Sequence, residues 1–333
     1  MSVPNERLDE VGLADPADAR PEAVTAAAKD DRSSLLAKVG HLLAGMRPHQ
    51  WVKNGFLFAP LVFAHELFDP ELVLRSVAAF FLFSFIASAV YLGNDVLDVE
   101  SDRLHPVKRH RPIASGKLAI PVASFAAAVL AILALGGGAA LLGGSFAAVL
   151  LAYTLMNVAY SWRLKKIAFV DVGIIATGFV LRVLAGSLAI GVQPTVWIFV
   201  CTFALALYLG FGKRKHEILA ARGAGNDAVA TRKALGGYTI PRLDLALTTA
   251  GALALLAYFL YTVAPDTVTR FRYLLTLTLP FPAFGIWRFH QLLTKASRAS
   301  SPTEALITDL PFVLNMAAWL AAVLTIVYKV AHS

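Results

Sequence analysis

Apolar and polar positions fall along this chain in long blocks rather than at the short periods of a soluble domain. Runs dominated by Ala, Leu, Val, Ile and Phe recur from about residue 52 onward, near or above the length a helix needs to cross a bilayer. The pattern predicts nine membrane helices, at 52–68, 71–93, 119–136, 139–160, 168–190, 194–212, 243–264, 271–289 and 309–330. Pro60 falls inside the first and Pro280 and Pro282 inside the eighth. Tight turns are expected at Gly136–Gly138 and Gly191–Pro194, whereas spans 2–3, 4–5, 6–7 and 8–9 are joined by charged loops. Residues 1–35 are polar and without period, which reads as a disordered tail, and 36–333 read as one membrane domain.

Composition agrees with this pattern. Hydrophobic residues make up 57% of the 333 and charged residues 16%, too few to cover a soluble domain of that size. The fold class expected is therefore all-α, a polytopic membrane protein. Cys201 is the sole cysteine and lies inside a span, so no internal disulfide can form. The formal charge of +8 raises the question of nucleic acid. Its distribution answers it: 25 of the 30 Lys and Arg lie in the N-terminal stretch or in the loops after spans 2, 4, 6 and 8. The opposite side has only Arg270, Arg272 and Lys329, with Arg75 and Arg182 inside spans. This asymmetry is the positive-inside pattern. It predicts a multi-pass protein of the cell inner (plasma) membrane, with a cytoplasmic N-terminus, cytoplasmic charged loops and no nucleic-acid partner. Apolar spans leave surface for self-association, so a homo-oligomer is compatible with the sequence.

Candidate chemistry concentrates where span 2 ends, in GNDVLDVESDRLHPVKRHRPIASGKL, Gly93–Leu118. Asn94, Asp98 and Asp102 are four apart and Asp95 is three before Asp98, spacings that bring side chains toward one face of a helix. Stacked carboxylates repel unless a cation lies among them. Oxygen ligands without His or Cys suit Mg²⁺, which keeps open positions for substrate phosphates. The plain alternative is a solvated helix end in which Asp98 and Asp102 pair with Arg103 or Lys108. Bases follow in four clusters: Lys53 beside Asn54; Lys108, Arg109 and Arg111; Arg163, Lys165 and Lys166; and Lys213, Arg214 and Lys215. Bases around an acidic cluster suit two phosphorylated substrates, with the active site facing the cytoplasm. Asp171 opens span 5 and Arg182 follows eleven residues on, roughly three turns along the same helix; ionisable groups there are expensive and tend to be functional. Tyr160 ends span 4, as a substrate contact or as an interfacial aromatic anchor.

Asn94-Asp95-x-x-Asp98-x-x-x-Asp102, followed by Arg111-Pro112-Ile-Ala-Ser115-Gly116, resembles the first aspartate motif of the UbiA superfamily of intramembrane prenyltransferases. The resemblance covers about residues 45–330 and implies a UbiA-type bundle of nine helices forming the catalytic domain. Members usually carry a second motif, DxxxD, after span 4; here Asp171 is present but position 175 is Ile. That departure is similar to one branch of the superfamily, as are Arg47-Pro48-His-Gln50-Trp51-Val-Lys53-Asn54 and Gly212-Lys213-Arg214-Lys215-His216-Glu217.

For that branch the resemblance implies transfer of 5-phosphoribosyl from 5-phosphoribosyl 1-diphosphate (PRPP) to decaprenyl phosphate, with Mg²⁺ as cofactor, in arabinan precursor synthesis for arabinogalactan cell walls. Asp95, Asp98 and Asp102 are then catalytic and, with Asn94, metal-binding. Lys53, Asn54, Lys108, Arg111, Tyr160, Arg163, Lys165, Lys166, Asp171, Arg182 and Lys213 to Lys215 are the implied substrate contacts. The alternative within the superfamily is an aromatic prenyltransferase of quinone biosynthesis, using a prenyl diphosphate; it predicts a full second motif and fewer bases. A transporter predicts charge near the membrane midplane, whereas here charge gathers at one face.

Overall fold

The computed structural model describes residues 36–223, 237–295 and 308–330, and every regular element among them is helical. The solvent dictates this, because within hydrocarbon each backbone N–H and C=O must be paired internally and a helix pairs them within one segment. Seven helices among the described residues are long and apolar enough to cross a membrane. The tail expected over 1–35 lies outside the described residues.

The chain enters through α1 (Leu36–Met46) and turns at Arg47, whose backbone is left-handed with φ 55°. A proline disfavours the helical region for the residue before it, and Pro48 follows Arg47. The chain therefore restarts as a 3₁₀ helix, Pro48–Phe58, which runs into α2 (Ala59–Phe63) and turns again at His65, φ 70°. The segment expected as a span at 52–68 is thus a broken one rather than a single continuous helix.

Next comes α3 (Pro70–Leu97), with Pro70 in its first turn and the Asp69 carboxylate accepting from the Glu71 and Leu72 amides. At ~1.5 Å per residue, its 28 residues exceed the bilayer core and carry its C-terminal end into the headgroup zone. A short helix, α4 (Val99–Leu104), continues it. The remaining helices are α5 (Ile120–Leu142), α6 (Gly144–Trp162), α7 (Val170–Ile190), α8 (Val196–Gly223), α9 (Ile240–Val263), α10 (Pro265–Phe271), α11 (Pro280–Lys295) and α12 (Leu310–Thr325).

Two expectations are corrected here. Gly136–Gly138 does not turn the chain: α5 runs through it and the turn comes at Gly143, φ 98°. These glycines serve close packing instead. A Cβ on Gly137 would lie 3.1 Å from Leu82 Cδ2, and one on Gly138 would lie 3.1 Å from Phe146 Cδ1. The eighth expected span, 271–289, is divided into the end of α10, a 3₁₀ helix Leu274–Thr278 and α11. Pro280 has no N–H to donate back, so a helix can begin there but cannot continue through it. The other tight turn is where it was expected: Gly191, φ 70°, ends α7 with its N–H on Leu188 and Ser187 carbonyls.

Lipid tails are as apolar as leucine, so helix association in a bilayer depends on close packing by small residues. α3 packs against α5, α6, α7 and the 48–58 segment, with Ala79, Ala87, Ala134, Ala185 and Ala189 in that core beside Phe83, Phe146 and Tyr153. Gly186 brings the 48–58 segment hard against α7: a Cβ there would sit 2.1 Å from the Leu57 carbonyl oxygen. This approach holds Asn54 between Ser84 of α3 and Arg182 of α7. A second core joins α8, α9 and α11 around Tyr208, Leu243, Leu247 and Phe289.

Candidate active site

Asp95 and Asp102 are seven residues apart, two turns, and so within about 20° of one another around the helix. Both are buried, and the Arg111 guanidinium bridges them, donating from one nitrogen to Asp95 Oδ1 at 3.0 Å and to Asp102 Oδ2 at 2.6 Å. Arg47 donates to both Asp95 oxygens, at 2.6 and 2.8 Å, and lies over the Tyr91 ring. The Lys108 ammonium is 3.8 Å from Asp102 Oδ1. Asp98, three residues after Asp95, falls about 60° round the helix and binds a different partner, the Lys165 ammonium at 2.9 Å. Asn94 turns further and accepts from Ser161 Oγ at 2.7 Å. The expected four-oxygen face is therefore split. Asp95 and Asp102 form one half with Arg47 and Arg111; Asn94 and Asp98 form the other, against the end of α6 and its loop.

Deeper in the bundle Arg182 donates to Asn54 Oδ1 (2.8 Å), the Gly178 carbonyl (2.8 Å) and the Tyr153 hydroxyl (3.2 Å). Asn54 passes its own amide to Ser84 Oγ at 2.9 Å. Three rings surround the guanidinium, Phe83 and Tyr153 at 5.0 Å and Phe179 at 5.4 Å. Lys53, next to Asn54 in the chain, is under the electrostatic influence of Lys213, Arg182 and Arg47.

Not every expected residue joins this site. Asp171 and Arg214 form a buried ion pair, Arg214 Nε to Asp171 Oδ2 at 2.7 Å, and Arg214 also donates to Glu217 at 2.6 Å. The Tyr238 hydroxyl donates to the other Asp171 oxygen and accepts from the Phe169 amide, whose backbone is left-handed with φ 67°. Burial and the neighbouring Asp171 carboxylate push the Tyr238 phenol well above its ordinary pKa, so it stays a donor. Both were expected as substrate contacts; here both Asp171 oxygens accept hydrogen bonds and Arg214 is enclosed.

Lys215 likewise leaves the site for Asp244 on α9, at 2.6 Å. The reason is helical geometry, since consecutive residues diverge by about 100° and three neighbouring bases cannot face one ligand. Lys213 acts electrostatically on Lys53. Tyr160 is half-buried and acts electrostatically on Arg214, and Arg163 and Lys166 are exposed.

A model of the UbiA prenyltransferase family matches residues 55–316. The chain belongs to the UbiA prenyltransferase family. Among curated proteins it is 36% identical over 225 residues to decaprenyl-phosphate phosphoribosyltransferase of Corynebacterium glutamicum, covering 66% of each chain. It is 33% identical over 289 residues to the enzyme of the same name from Mycobacterium tuberculosis, covering 86% of this chain and 93% of that one. A solved UbiA homolog from Archaeoglobus fulgidus, bound to DMAPP and Mg²⁺, superposes with a TM-score of 0.62 at 18% identity, covering 86% of this chain and 98% of that one. That likeness establishes a shared fold.

Whether this UbiA-family site suits a divalent cation turns on its donors. Among the described residues no three His, Cys, Asp or Glu groups converge for a metal. The donor chemistry nevertheless fits Mg²⁺, which commonly takes one or two carboxylates and completes its shell with water and substrate phosphate. Asp95 and Asp102 supply such a pair, with arginine and lysine nitrogens on their oxygens.

Sequence reasoning quoted Arg47 in a motif without giving it a role, and passed over Ser161, Tyr153 and Tyr238 in this family member. Only Arg47 left a signal, as a base directly before a proline and six residues before Lys53.

Proposed function

We propose that this chain transfers 5-phosphoribosyl from PRPP to decaprenyl phosphate, releasing diphosphate. The observation that carries the reading is its similarity to decaprenyl-phosphate phosphoribosyltransferases along most of the chain. The charge inventory agrees: Asp95, Asp98 and Asp102 stand among Arg47, Lys108, Arg111, Lys165, Lys53, Arg182 and Lys213. Three carboxylates against seven bases leave a surplus of positive charge suited to two polyanionic substrates.

In this mechanism an oxygen of the lipid monophosphate bonds to ribose C1 as the C1–O bond to diphosphate breaks, the electron pair leaving with the diphosphate. The nucleophile is anionic at neutral pH, so the site needs no general base. Asp95 and Asp102, with Asp98 and Asn94 beside them, would hold Mg²⁺, which when bound offsets charge on the departing diphosphate. Arg111, Arg47, Lys108 and Lys165 change partners from carboxylate to phosphate as substrate arrives. Arginine forks suit the diphosphate and orient it for in-line departure. The long lipid chain lies between helices, and water is kept from ribose C1 by the aromatic walls.

On this reading the site faces the cytoplasm of the inner membrane, where PRPP is dissolved, and the broken segment Pro48–Phe63 and α11 complete nine crossings. Transfer from a prenyl diphosphate to an aromatic acceptor is not favoured by the curated relatives. Mass spectrometry of lipid extracted after incubation with Mg²⁺, PRPP and decaprenyl phosphate tests the proposal. A phosphoribosylated lipid supports it; no adduct, with prenylated hydroxybenzoate formed from a prenyl diphosphate instead, refutes it.

A further inference from the structure

Away from the aspartates, α7, α8 and α9 enclose a groove of about 940 Å³. Its lining is apolar apart from Thr177, Thr249 and Arg242, and Arg242 is the one charged group among the described residues that line it. The groove opens toward lipid, since Leu245, Leu253 and Leu256 on its wall are exposed. Arg242 is exposed too and stands in the first turn of α9. Among the described residues no carboxylate pairs with it; neighbouring Asp244 instead holds Lys215 at 2.6 Å. The helix dipole disfavours a cation in that turn, so an anion beside Arg242 is favoured by the side chain and by the helix end together. An even number of crossings, α5 to α8, separates Arg242 from the end of α3, which puts it at the same membrane face as Asp95 and Asp102. Phe169 lines that end of the groove, and its amide donates to the Tyr238 hydroxyl that holds Asp171.

The length of the groove decides which lipid fits. From Arg242 to Leu260 the lining continues along 18 residues of α9, about 27 Å of helix axis. That is nearly the whole ~30 Å hydrocarbon core, whereas a phospholipid acyl chain fills its own leaflet, roughly half of it. A long polyprenyl chain passes the midplane. Lipid tails are as apolar as the groove wall, so selectivity comes from the charge at Arg242 and from chain length rather than from hydrophobicity.

We propose that this groove binds a long-chain polyprenyl phosphate, its phosphate on Arg242 and its isoprenoid chain laid along α8 and α9 into the far leaflet. The lipid's role as acceptor rests on the reaction proposed above; the match of charge and length does not. The groove then holds the acceptor outside the aspartate cluster, at the membrane face where transfer takes place.

Decaprenyl phosphate bearing a diazirine at the far end of its chain tests the site. It is irradiated with the full chain in phosphatidylcholine nanodiscs containing EDTA and no PRPP, so that no transfer occurs. Adducts are expected on α8 and α9 around Trp197 and Leu256. Their yield should fall at least fivefold in Arg242→Gln, which removes the charge, and in Leu256→Trp, which obstructs the far half of the groove. Both positions are exposed, so the two variants should unfold at the wild-type temperature. Wild-type adducts confined to other helices would overturn the proposal without any variant, and so would a yield unchanged in either variant. Loss of the adducts to a tenfold excess of phosphatidylglycerol would overturn it by assigning the groove to ordinary anionic lipid. An oligomer that Leu256→Trp dissociates in lipid-free detergent would assign the groove to a second copy instead. Groove adducts on a wild type that transfers nothing from PRPP would support the site and refute only the reaction.

Discussion

The ends of α3 and α7 both carry aspartates beside bases, yet the two places are built to opposite effect. At Asp171 the charges close on each other: Arg214 and Tyr238 occupy both carboxylate oxygens, and all three side chains are buried. At Asp95, Asp98 and Asp102 the bases outnumber the acids, and Lys108, Arg111 and Lys165 remain partly open to solvent. Balanced and enclosed charge fixes a loop. Unbalanced and reachable charge awaits a ligand. Enclosure and the ratio of bases to acids, more than the presence of an aspartate, separate the Asp171 pair from the Asp95–Asp102 cluster.

The largest effect expected from this contrast is on stability. Asp171→Asn leaves the enclosed Arg214 with Glu217 as its remaining counter-charge, and breaking one buried pair costs up to about 3–5 kcal/mol. Thermal unfolding in detergent should reveal the loss, while the folded fraction keeps its KM values. Asp98→Asn should do the reverse, lowering kcat by about 10²- to 10³-fold as expected for a lost electrostatic contact in the transition state. Its unfolding temperature should stay within a degree or two of wild type, and full activity at saturating Mg²⁺ would remove Asp98 from the site. A third variant, Lys215→Ala, breaks a pair with a half-exposed aspartate, worth under about 1 kcal/mol. Neither kcat nor KM should move; a rise in either KM would return Lys215 to the substrates.

The smallest effect concerns the loop carrying Lys108 and Arg111. His105 Nδ1 accepts from the Val107 and Lys108 amides, at 3.2 and 3.3 Å, which requires a neutral ring. Burial and the Lys108 ammonium lower its pKa below the ordinary 6.5. Its contribution to loop order is therefore complete above pH 6.5 and declines as pH falls toward the lower folded-state value. Hydrogen exchange of those two amides, compared with His105→Asn, should report faster opening at pH 5 than at pH 7.5 only in the wild type.

Much of the membrane architecture was legible because its cause is local. Seven of the nine expected spans correspond to membrane-length helices, since apolar length alone specifies them. Proline explains where the other two break. Gly136–Gly138 misled because three glycines signal a turn only when nothing packs on them, and Leu82 and Phe146 do. Asp95, Asp98 and Asp102 stood out by spacing, but the split between them followed from rotation along the helix, which a grouping by threes and fours blurs. The pairing of Asp171 with Arg214 spans 43 positions, and that of Arg182 with Asn54 spans 128. Contacts at such separations depend on helix packing and leave no mark in a local pattern.

The most direct test of the central claim uses PRPP labelled separately in the ribose and in the diphosphate, incubated with the purified chain, Mg²⁺ and decaprenyl phosphate. The account predicts ribose label in the lipid extract and diphosphate label in the aqueous phase, both dependent on Asp98. Both labels remaining aqueous, or both entering the lipid together, would contradict it.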